Sequence, residues 1–548
     1  MGDRRLLWGV VCVAAFAFAL RLEPLLWSPL PFNPDGIKYA GLVRDTLAGG
    51  EFPVSRMGTD EFGFTAFLAV ASTLVGESSL RVGQPASAAL GASTVLVAGV
   101  LAARLGRRLD LSRSRMRAAV LLAAFLVAAE GIYLFRSMAT DEQTAGFLLT
   151  PAAVVAVGRW LVTGHREWGI AALAVAVVIP PLHNLSGLVL ALGVVVLATL
   201  AVRRDFRPAT TRRALAAVVL TCTYVFGFHV ALSTVSGARV VQADRLLRVT
   251  DLFLAWVVLG LAGAAWYVTM SARARLGTVV ALSVAGFGLV ALNAVRPVFP
   301  ETTATPESLL VGLVPLFVPA VLAGLATDSL TDDAHVGGAT VALLVAPLVV
   351  VATGLTARLT FDYLAMVFRA QLFLHLPALA LAAVGAVSLG RRAADGERRA
   401  WVRPLAVALV LGSVAASAPV AYAGLGTLNY DPLTTESLFA ATGYASDRFD
   451  TWATDDHGVR LTLYHGGNAS ERPVYRWTRG GPPPDCPALA RRSWTTVGAQ
   501  FYPRPPTAVP SERYGEWRAG NDVIYATTGP TEVVLVVPPD YAGSGCRR

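Results

Sequence analysis

Apolar blocks of about 18–22 residues recur along the sequence from residue 6 to residue 424. An α-helix rises 1.5 Å per residue, so blocks of this length can cross a hydrocarbon core of about 30 Å. After residue 424 the sequence has no long apolar block and becomes rich in Pro, Gly, Asp, Arg and Trp. The pattern predicts a mainly α-helical, polytopic membrane domain over residues 1–424 and a soluble domain over residues 425–548.

Short arginine-rich loops between the blocks predict the orientation, because such loops stay on the cytoplasmic side. They occupy residues 1–5, 104–117, 159–167, 203–213, 271–275 and 391–403. An even number of crossings must then separate neighbouring loops, which gives thirteen spans. The predicted spans are 6–27, 86–103, 118–134, 143–161, 168–182, 185–202, 214–231, 251–270, 277–295, 309–326, 338–357, 366–390 and 404–424.

The block at residues 62–76 is the exception to this count. It covers only about 22 Å as a helix, which is short of a bilayer core. We interpret it as an interfacial or re-entrant helix inside one long external loop, residues 28–84. The odd number of spans then predicts a multi-pass protein of the plasma membrane, with a cytoplasmic N-terminus and an extracytoplasmic C-terminal domain.

The net charge of +9 does not indicate a nucleic-acid-binding protein. Lys38 is the only lysine among the 46 basic residues, and many of the arginines lie in the loops between apolar blocks. The absence of GxGxxG, P-loop, HExxH and CxxC motifs argues against nucleotide-driven transport, dehydrogenase chemistry and zinc hydrolysis. Cys486 and Cys546 can form a disulfide if the C-terminal domain is extracytoplasmic, but two cysteines alone specify little.

The external ends of the predicted helices collect ionisable residues, which are costly at such depth and tend to mark a functional cavity. The segments are NPDGIKY (33–39), MGTDEFG (57–63), FRSMATDEQ (135–143), PLHNLSG (181–187), FPETTATPES (299–308) and RLTFDYLAMVFRAQ (358–371).

These segments resemble parts of the GT-C glycosyltransferases, a superfamily of polytopic membrane enzymes that includes oligosaccharyltransferase catalytic subunits and protein mannosyltransferases. PDGIKYAGLVRDTLAGG (34–50) resembles their first external loop, in which D-x-x-x-Y precedes a helix and a glycine pair. RSMATDEQTAG (136–146) resembles the acidic motif of their second loop. Thirteen spans and a small α/β extracytoplasmic C-terminal domain match the layout of the oligosaccharyltransferase subunit.

The resemblance implies transfer of a sugar from a polyprenyl (dolichyl) phosphate to a lipid-linked glycan or a surface protein, within cell-envelope or protein glycosylation. Two departures weigh against a peptide-directed oligosaccharyltransferase. The C-terminal domain lacks the WWDYG motif that holds the acceptor sequon, for which WATDD (452–456) is no substitute, and TTATPE (302–307) only approximates a loop motif of that enzyme.

Asp35 is the best candidate for the carboxylate that deprotonates or orients the acceptor nucleophile. Pro34 and Gly36 flank it in a predicted turn at the end of the first span, which would hold the carboxylate near the membrane surface. Alternatively, Asp35 caps the helix that begins near Ile37. Lys38, in the same segment, is predicted to bind substrate, as is Tyr39, which completes the D-x-x-x-Y pattern.

Asp141 and Glu142 can join Asp35 as catalytic carboxylates and as ligands of a divalent cation such as Mg²⁺ or Mn²⁺, which prefer oxygen ligands. They could equally cap the helix that starts at Thr144. Asp60 and Glu61 present the same choice, and capping of the interfacial helix is the preferred interpretation.

Arg369 lies inside an apolar stretch, where its guanidinium needs a partner such as a lipid-linked phosphate. It could instead extend to the outer interface, and Arg136 could assist it or only anchor its own helix. His183 could bind sugar or phosphate, although a hydrogen-bonded core histidine is the preferred interpretation. Glu307 follows Pro306 in a loop from which it could reach the site.

Two other functions compete with a glycosyltransferase: an ion-coupled secondary transporter and a non-catalytic partner in envelope glycan assembly. Transporters usually place charges at mid-bilayer in broken helices and often show two similar halves. Here the acids lie at external helix ends, no internal repeat is visible and the span count is odd, which favours the enzyme.

Overall fold

The structure is a computed structural model. It describes residues 4–237, 245–246, 248–300, 304–330, 337–389, 396–422, 432–502, 504–529, 531–541, 543 and 546. The predicted domain boundary at residues 424/425 lies outside the described residues.

The first three quarters of the described chain are helical. The helices are α1 (Arg4–Leu22), α2 (Pro34–Gly49), α3 (Phe62–Val75), α4 (Ser79–Arg108), α5 (Arg113–Ala129), α6 (Gly131–Ser137), α7 (Glu142–Thr163), α8 (Arg166–Leu182), α9 (Asn184–Arg204), α10 (Pro208–Ser236), α11 (Thr250–Tyr267), α12 (Ala272–Val295), α13 (Glu307–Leu313), α14 (Phe317–Leu325), α15 (Gly337–Thr356), α16 (Phe361–Ser388) and α17 (Gly396–Ser417). Short 3₁₀ turns occur at Glu23–Leu26, Val54–Arg56, Val314–Leu316, Thr327–Leu330 and Ala418–Ala421.

Each of the thirteen predicted spans coincides with helix over most of its described length. Ten helices of the described residues are long and apolar enough to cross a membrane, and the α5–α6 pair, bent by 66°, makes up to eleven. Among the described residues, the other two predicted spans do not form a helix of 18 or more residues. Helix α8 has 17 residues, and a 3₁₀ turn interrupts the segment formed by α13 and α14.

The loop over residues 28–84 is ordered by two helices, α2 and α3. Pro34 occupies the first turn of α2, and the Asn33 side chain caps the helix by accepting a hydrogen bond from the Asp35 amide. Helix α3 has 14 residues and is therefore too short to cross a bilayer, as predicted for this block. It buries Phe64 and Leu68 against Tyr39 and Leu42 of α2.

The C-terminal residues form a small α/β domain. Its helices are α18 (Glu436–Arg448), α19 (Asp456–His465), α20 (Arg472–Thr478) and α21 (Ser511–Ala519), and Arg492–Thr495 is a 3₁₀ turn. Its strands are β1 (Trp452–Ala453), β2 (Ala469–Ser470), β3 (Ala488–Arg491), β4 (Ala499–Phe501), β5 (Arg504–Thr507), β6 (Asp522–Ala526) and β7 (Val533–Val537).

One five-stranded sheet organises this domain, in the order β2-β1-β3-β7-β6. The apolar run VVLVV of β7 is almost fully buried between its antiparallel neighbours β3 and β6. Trp477 and Trp494 are fully buried in the core beside this sheet, and a disulfide joins Cys486 to Cys546. The disulfide between Cys486 and Cys546, which the sequence alone did not decide, is therefore present.

Helix α19 of the C-terminal domain packs directly on α2 of the membrane domain. The contact is close at Gly41, where a Cβ atom would lie 2.9 Å from the Tyr464 Cα atom and 3.0 Å from the Leu463 carbonyl oxygen. A larger residue at position 41 would meet backbone, which cannot yield as a flexible side chain does. The contact involves the last turn of α19, while Arg460, one turn earlier, reaches Asp35 in the first turn of α2.

Candidate functional site

The N-terminal turn of α2 carries three of the predicted site residues on one face, because positions i, i+3 and i+4 of a helix are neighbours. Asp35, Lys38 and Tyr39 have this spacing. The cap of the helix is Asn33, which adopts a positive φ of 101°. The proposal that Asp35 caps the helix is therefore wrong, and its side chain, 21% exposed, pairs with Arg460.

A second chain segment, between α6 and α7, meets this turn. Asp141 caps α7 by accepting from the Thr144 amide at 3.3 Å, and its carboxylate pairs with Arg136 at 2.6 Å. Glu142 accepts a hydrogen bond from the Tyr39 hydroxyl at 2.7 Å. Asp141 therefore caps α7 and also lies in the carboxylate cluster, and its catalytic or metal-binding role stays a prediction.

Gln84 of α4 joins the two segments. Its side-chain oxygen accepts from the Phe32 amide at 2.8 Å and from the Thr140 hydroxyl at 2.9 Å, and its amide donates to the Met138 carbonyl at 2.9 Å. These bonds fix the residues just before Asn33 to those just before Asp141. Gln84 was not predicted, because it lies at the end of the predicted external loop 28–84 and its burial is evident only in the structure.

Arg369 of α16 also lies at this cluster. Its carbonyl oxygen accepts a hydrogen bond from Gln143 at 3.0 Å. Its guanidinium is close enough to Asp35 to lower the pKa of that carboxyl. Within the described part of the chain, the guanidinium makes no hydrogen bond or ion pair. The residues predicted from three distant loops therefore meet at one end of the bundle.

The C-terminal domain also contributes to the cluster, which sequence analysis did not predict. Arg460 of α19 donates to Asp456 at 2.9 Å in addition to its ion pair with Asp35. The Arg460 guanidinium lies 5.7 Å from the centre of the Tyr502 ring. The only local signal was the Asp-x-x-x-Arg spacing of DDHGVR, which places the two side chains on one helix face.

Electrostatics keep Asp35 ionised. Burial alone would raise the pKa of this carboxyl, but four cations lower it to about 2. In order of effect they are Arg460, Lys38, Arg369 and Arg136. Burial likewise acts to lower the pKa of Lys38, but its ion pair with Glu61 leads the interactions that raise it overall.

Glu61 and Asp60 take part in the same network. The Glu61 side chain makes no capping bond to α3, and instead pairs with Lys38 and accepts from the Gly58 amide at 2.9 Å. The preferred interpretation of Glu61 as a helix cap is therefore wrong. Asp60 accepts a bond from the Asn184 backbone, and burial, with the Glu61 charge next, raises its pKa.

Two histidines line the same end of the bundle, and both are buried. His183 caps α9, with its Nδ1 atom 2.7 Å from the Ser186 hydroxyl. His229, not noted in the sequence, contacts the Thr59 hydroxyl through Nδ1 at 3.0 Å. In the described residues the Nε2 atom of each ring has no hydrogen-bond partner. A sugar hydroxyl would satisfy such an atom, and substrate binding by His183 stays a prediction.

Glu307 is the predicted site residue that the structure does not join to the others. It occupies the first turn of α13 with an exposed side chain. No contact in the described residues connects it with Asp35 or Arg369, and the preceding residues 301–303 lie outside the described set. Its role stays a prediction.

The predicted metal ligands do not fit a shared metal ion in this arrangement. Asp35 is bound by Arg460, Asp141 by Arg136, and Glu142 by the Tyr39 hydroxyl. Among the described residues no group of three or more His, Cys, Asp or Glu side chains is placed to hold a metal. The Mg²⁺ or Mn²⁺ site stays a prediction, and no reaction step is derived through it.

No protein-family model and no curated protein matches the sequence. The fold is similar to crystal structures of the oligosaccharyltransferase of Archaeoglobus fulgidus. The apo form matches with a TM-score of 0.50 and 13% identity over 85% of this chain and 64% of that one. A form tethered to an acceptor peptide containing the NVT sequon matches with a TM-score of 0.50 and 12% identity, again over 85% and 64% of the two chains.

The chain thus spans about 64% of the length of the archaeal protein that it matches. ArnT from Cupriavidus metallidurans, bound to undecaprenyl phosphate, matches over 97% of this chain and 98% of its own, with 15% identity and a lower TM-score of 0.41. The similarity to the archaeal structures shows that the chain has their fold, the GT-C fold.

Proposed function

We propose that the protein is a membrane glycosyltransferase that moves a sugar from a polyprenyl-phosphate carrier to an acceptor on the outer face of the membrane. One observation carries the proposal. The Arg369 guanidinium has no hydrogen bond or ion pair among the described residues, and it lies beside the carboxylates of Asp35, Asp141 and Glu142. A phosphate is the partner that best fits such a group, because guanidinium binds it in a bidentate manner.

The fold supports this class of reaction without identifying the substrates. The archaeal protein of similar fold is an oligosaccharyltransferase, but identity with it is only 13% and its chain is longer. This sequence has no WWDYG motif in the C-terminal domain. We therefore propose a lipid-linked glycan or a surface protein as acceptor, without the peptide recognition of that enzyme.

The transfer is a substitution at the anomeric carbon of the sugar. The acceptor oxygen forms a bond to this carbon while the bond from the carbon to the phosphate oxygen breaks. The electron pair of the broken bond stays on the phosphate oxygen, where the Arg369 guanidinium can stabilise the new negative charge. The proton of the acceptor passes to a carboxylate of the cluster.

Glu142 is the carboxylate that best suits this last role. Asp35 and Asp141 are each paired with a guanidinium, and the pKa of Asp35, about 2, makes it a weak base at neutral pH. Glu142 contacts a neutral phenol, Tyr39, instead. We assign proton transfer to Glu142 and orientation of the acceptor to Asp35, and Lys38 and Arg136 hold the surrounding charges in place.

The sidedness of the reaction is part of the proposal. The arginine-rich loops support a position of the cluster away from the cytoplasm. Donor and acceptor would then meet at the outer leaflet, with the bilayer holding the polyprenyl chain. Labelling of a cysteine introduced beside Asp35 with a membrane-impermeant reagent in intact cells tests this directly, and protection from the reagent would contradict it.

The reaction is tested with the purified protein in proteoliposomes and a radiolabelled polyprenyl-phosphate sugar. Transfer of label to a membrane glycan or protein fraction is expected, and Arg369→Ala should lower the rate about 10²–10³-fold. The matched control is Arg518→Ala, which removes an arginine paired with Glu532 at 2.9 Å in the C-terminal domain. The control should transfer at the unaltered rate.

Two results would contradict the enzyme. Accumulation of a solute inside the vesicles without any transfer of label would favour the transporter. An Arg369→Ala protein that transfers label at the rate of the control would remove the observation on which the proposal depends.

A further inference from the structure

The carboxylates of the cluster are already neutralised by groups of the protein itself. Asp35 pairs with Arg460, and Asp141 pairs with Arg136 at 2.6 Å. Glu142 accepts the Tyr39 hydroxyl at 2.7 Å. Each carboxylate therefore faces a different donor, whereas Mg²⁺ and Mn²⁺ need several oxygens that converge on one point about 2.1 Å away.

Contacts with two neighbouring side chains hold Arg460 in position. Its Nε atom donates to Asp456 one turn earlier on α19, at 2.9 Å. Its guanidinium lies near the face of the Tyr502 ring, and only 23% of the side chain is exposed. Such a residue loses little conformational freedom when it binds an anion, in contrast to an arginine on an open surface.

The helix that carries Arg460 is itself fixed at its N-terminus. Asp455 caps α19 by accepting from the Gly458 amide at 3.2 Å. The same carboxylate accepts from Arg491 at 2.6 Å and from the Trp494 indole at 3.0 Å. At Gly41 the helix rests on the backbone of α2. The C-terminal domain thus presents one cation rigidly to the Asp35 carboxylate.

We propose that Arg460 takes the place of a divalent metal ion at Asp35, so that sugar transfer proceeds without a metal. This inference rests on the proposed function for the reaction itself. Arg460 and Arg369 supply the positive charge that a metal would otherwise bring to the phosphate oxygen when the sugar–phosphate bond breaks. The bonds made and broken, and the transfer of the proton to Glu142, are as written above.

The first test measures metal binding and does not depend on any sugar transfer. The full-length protein in detergent is titrated with Mn²⁺ and bound metal is measured by equilibrium dialysis. Wild-type protein should retain no Mn²⁺ at sub-millimolar concentrations. Stoichiometric Mn²⁺ binding that disappears in the Asp35→Asn protein would overturn the inference, even if transfer activity had confirmed the proposed function.

The second test uses transfer activity. Treatment with EDTA should change the rate of wild-type protein less than twofold, and added Mg²⁺ or Mn²⁺ should have no further effect. A loss of tenfold or more that either metal restores would overturn the inference and leave the proposed function intact. A protein that transfers no sugar at all would instead count against the proposed function, while the dialysis result would still stand.

The third test isolates Arg460. Arg460→Ala should slow transfer at least a hundredfold, and free guanidinium ion at low millimolar concentration should restore part of the rate by filling the vacated position. Arg460→Lys, which keeps a charge and reaches Asp35 as a point cation, should lose less activity than Arg460→Ala. An Arg460→Ala protein as active as the Arg518→Ala control would overturn the inference, and correct folding is checked by an unchanged thermal unfolding midpoint.

Discussion

Two carboxylates of this protein are paired with arginine in closely related ways, yet their surroundings differ. Asp455, in the C-terminal domain, is 1% exposed and accepts bonds from Arg491, the Trp494 indole, and the amides of Gly458 and Gln500. Asp35, at the membrane domain, is 21% exposed and is bound on one oxygen by Arg460.

The difference indicates how to separate a structural carboxylate from a functional one. A buried carboxylate whose lone pairs are filled by protein donors has nothing left to offer a substrate, and its main effect is on folding. A carboxylate with one guanidinium partner and an open side keeps acceptor capacity for a substrate hydroxyl. Burial acts to raise the pKa of Asp455, but Arg491 leads the interactions that lower it overall, and the pKa of Asp35 is lowered as well. The pKa shift alone would not distinguish the two.

The largest expected effect is on transfer activity, at the cluster formed by Asp35, Asp141 and Glu142. Glu142→Gln keeps the size of the side chain but removes the proton acceptor, so the transfer rate should fall about 10²–10⁴-fold. The rate is measured with a radiolabelled polyprenyl-phosphate sugar, and the unfolding midpoint is recorded alongside. A variant that keeps the rate would show that the proton goes elsewhere and that Glu142 belongs with the structural carboxylates.

The next largest effect is on the stability of the C-terminal domain, at the buried carboxylate of Asp455. Asp455→Asn would turn an amide towards Arg491 and Trp494, leaving a buried guanidinium without its carboxylate. We expect the free energy of unfolding of the C-terminal domain to fall by about 3–5 kcal/mol. Denaturant unfolding followed by tryptophan fluorescence measures this, because Trp477 and Trp494 are buried in that domain.

The control for Asp455 is Asp522→Asn, since Asp522 is exposed on β6. It should change the free energy of unfolding by less than about 0.5 kcal/mol. Equal destabilisation by the two variants would show that the bonds to Asp455 do not stabilise the domain.

A smaller effect should depend on pH. His457 is buried beside Asp455, with its Nε2 atom 2.9 Å from the Thr434 hydroxyl, and burial, with Arg491 next, lowers its pKa from 6.5 to about 3. Below pH 6.5 the His457 imidazole is protonated in the unfolded chain but stays neutral in the folded domain. Stability is therefore complete above pH 6.5 and is lost as the pH falls towards 3, by about 2 kcal/mol between pH 7 and pH 5.

His457→Gln should abolish this part of the pH dependence. The comparison is made by denaturant unfolding of both proteins at pH 5 and pH 7. An identical loss in the two proteins would mean that His457 is protonated in the folded domain or contributes nothing to the acid sensitivity.

The smallest effect should appear where the two regions touch. Gly41→Ala would push the new Cβ against the backbone of Tyr464 and so shift α19, with Arg460, away from Asp35. We expect a destabilisation of about 1 kcal/mol and a severalfold slower transfer. Gly49→Ala in the same helix is the matched control, because a Cβ there meets nothing within 4 Å.

The membrane domain was largely predictable because its signals are local. A block of 18 or more apolar residues specifies a spanning helix by length alone, and the polar loops at one end of the blocks were already visible in the sequence. Asp35, Arg136, Asp141, Glu142 and Arg369 were predicted in this way, and the structure brings them together. The bend at Glu130, whose carboxylate accepts from the Ile132 and Tyr133 amides, was not predicted.

The remaining parts of the site depend on tertiary contacts, which leave no periodic signal. Arg460 lies 425 positions from Asp35, and nothing in DDHGVR indicates that it faces the membrane domain. Gln84 gains its role from backbone groups of two other segments. The sequence offered Asp35 as an alternative helix cap, because aspartate and asparagine are similarly favoured at that position, whereas the cap is Asn33.

The ion pair between Asp35 and Arg460 has a consequence for biosynthesis. Asp35 lies in the first tenth of the chain and is synthesised early. Arg460 is synthesised only after most of the chain has been made. Under the function proposed above, a nascent chain lacks one of the two arginines that stabilise the leaving phosphate until its last portion has folded. The order of synthesis would then delay the proposed sugar transfer until α19 has packed on α2.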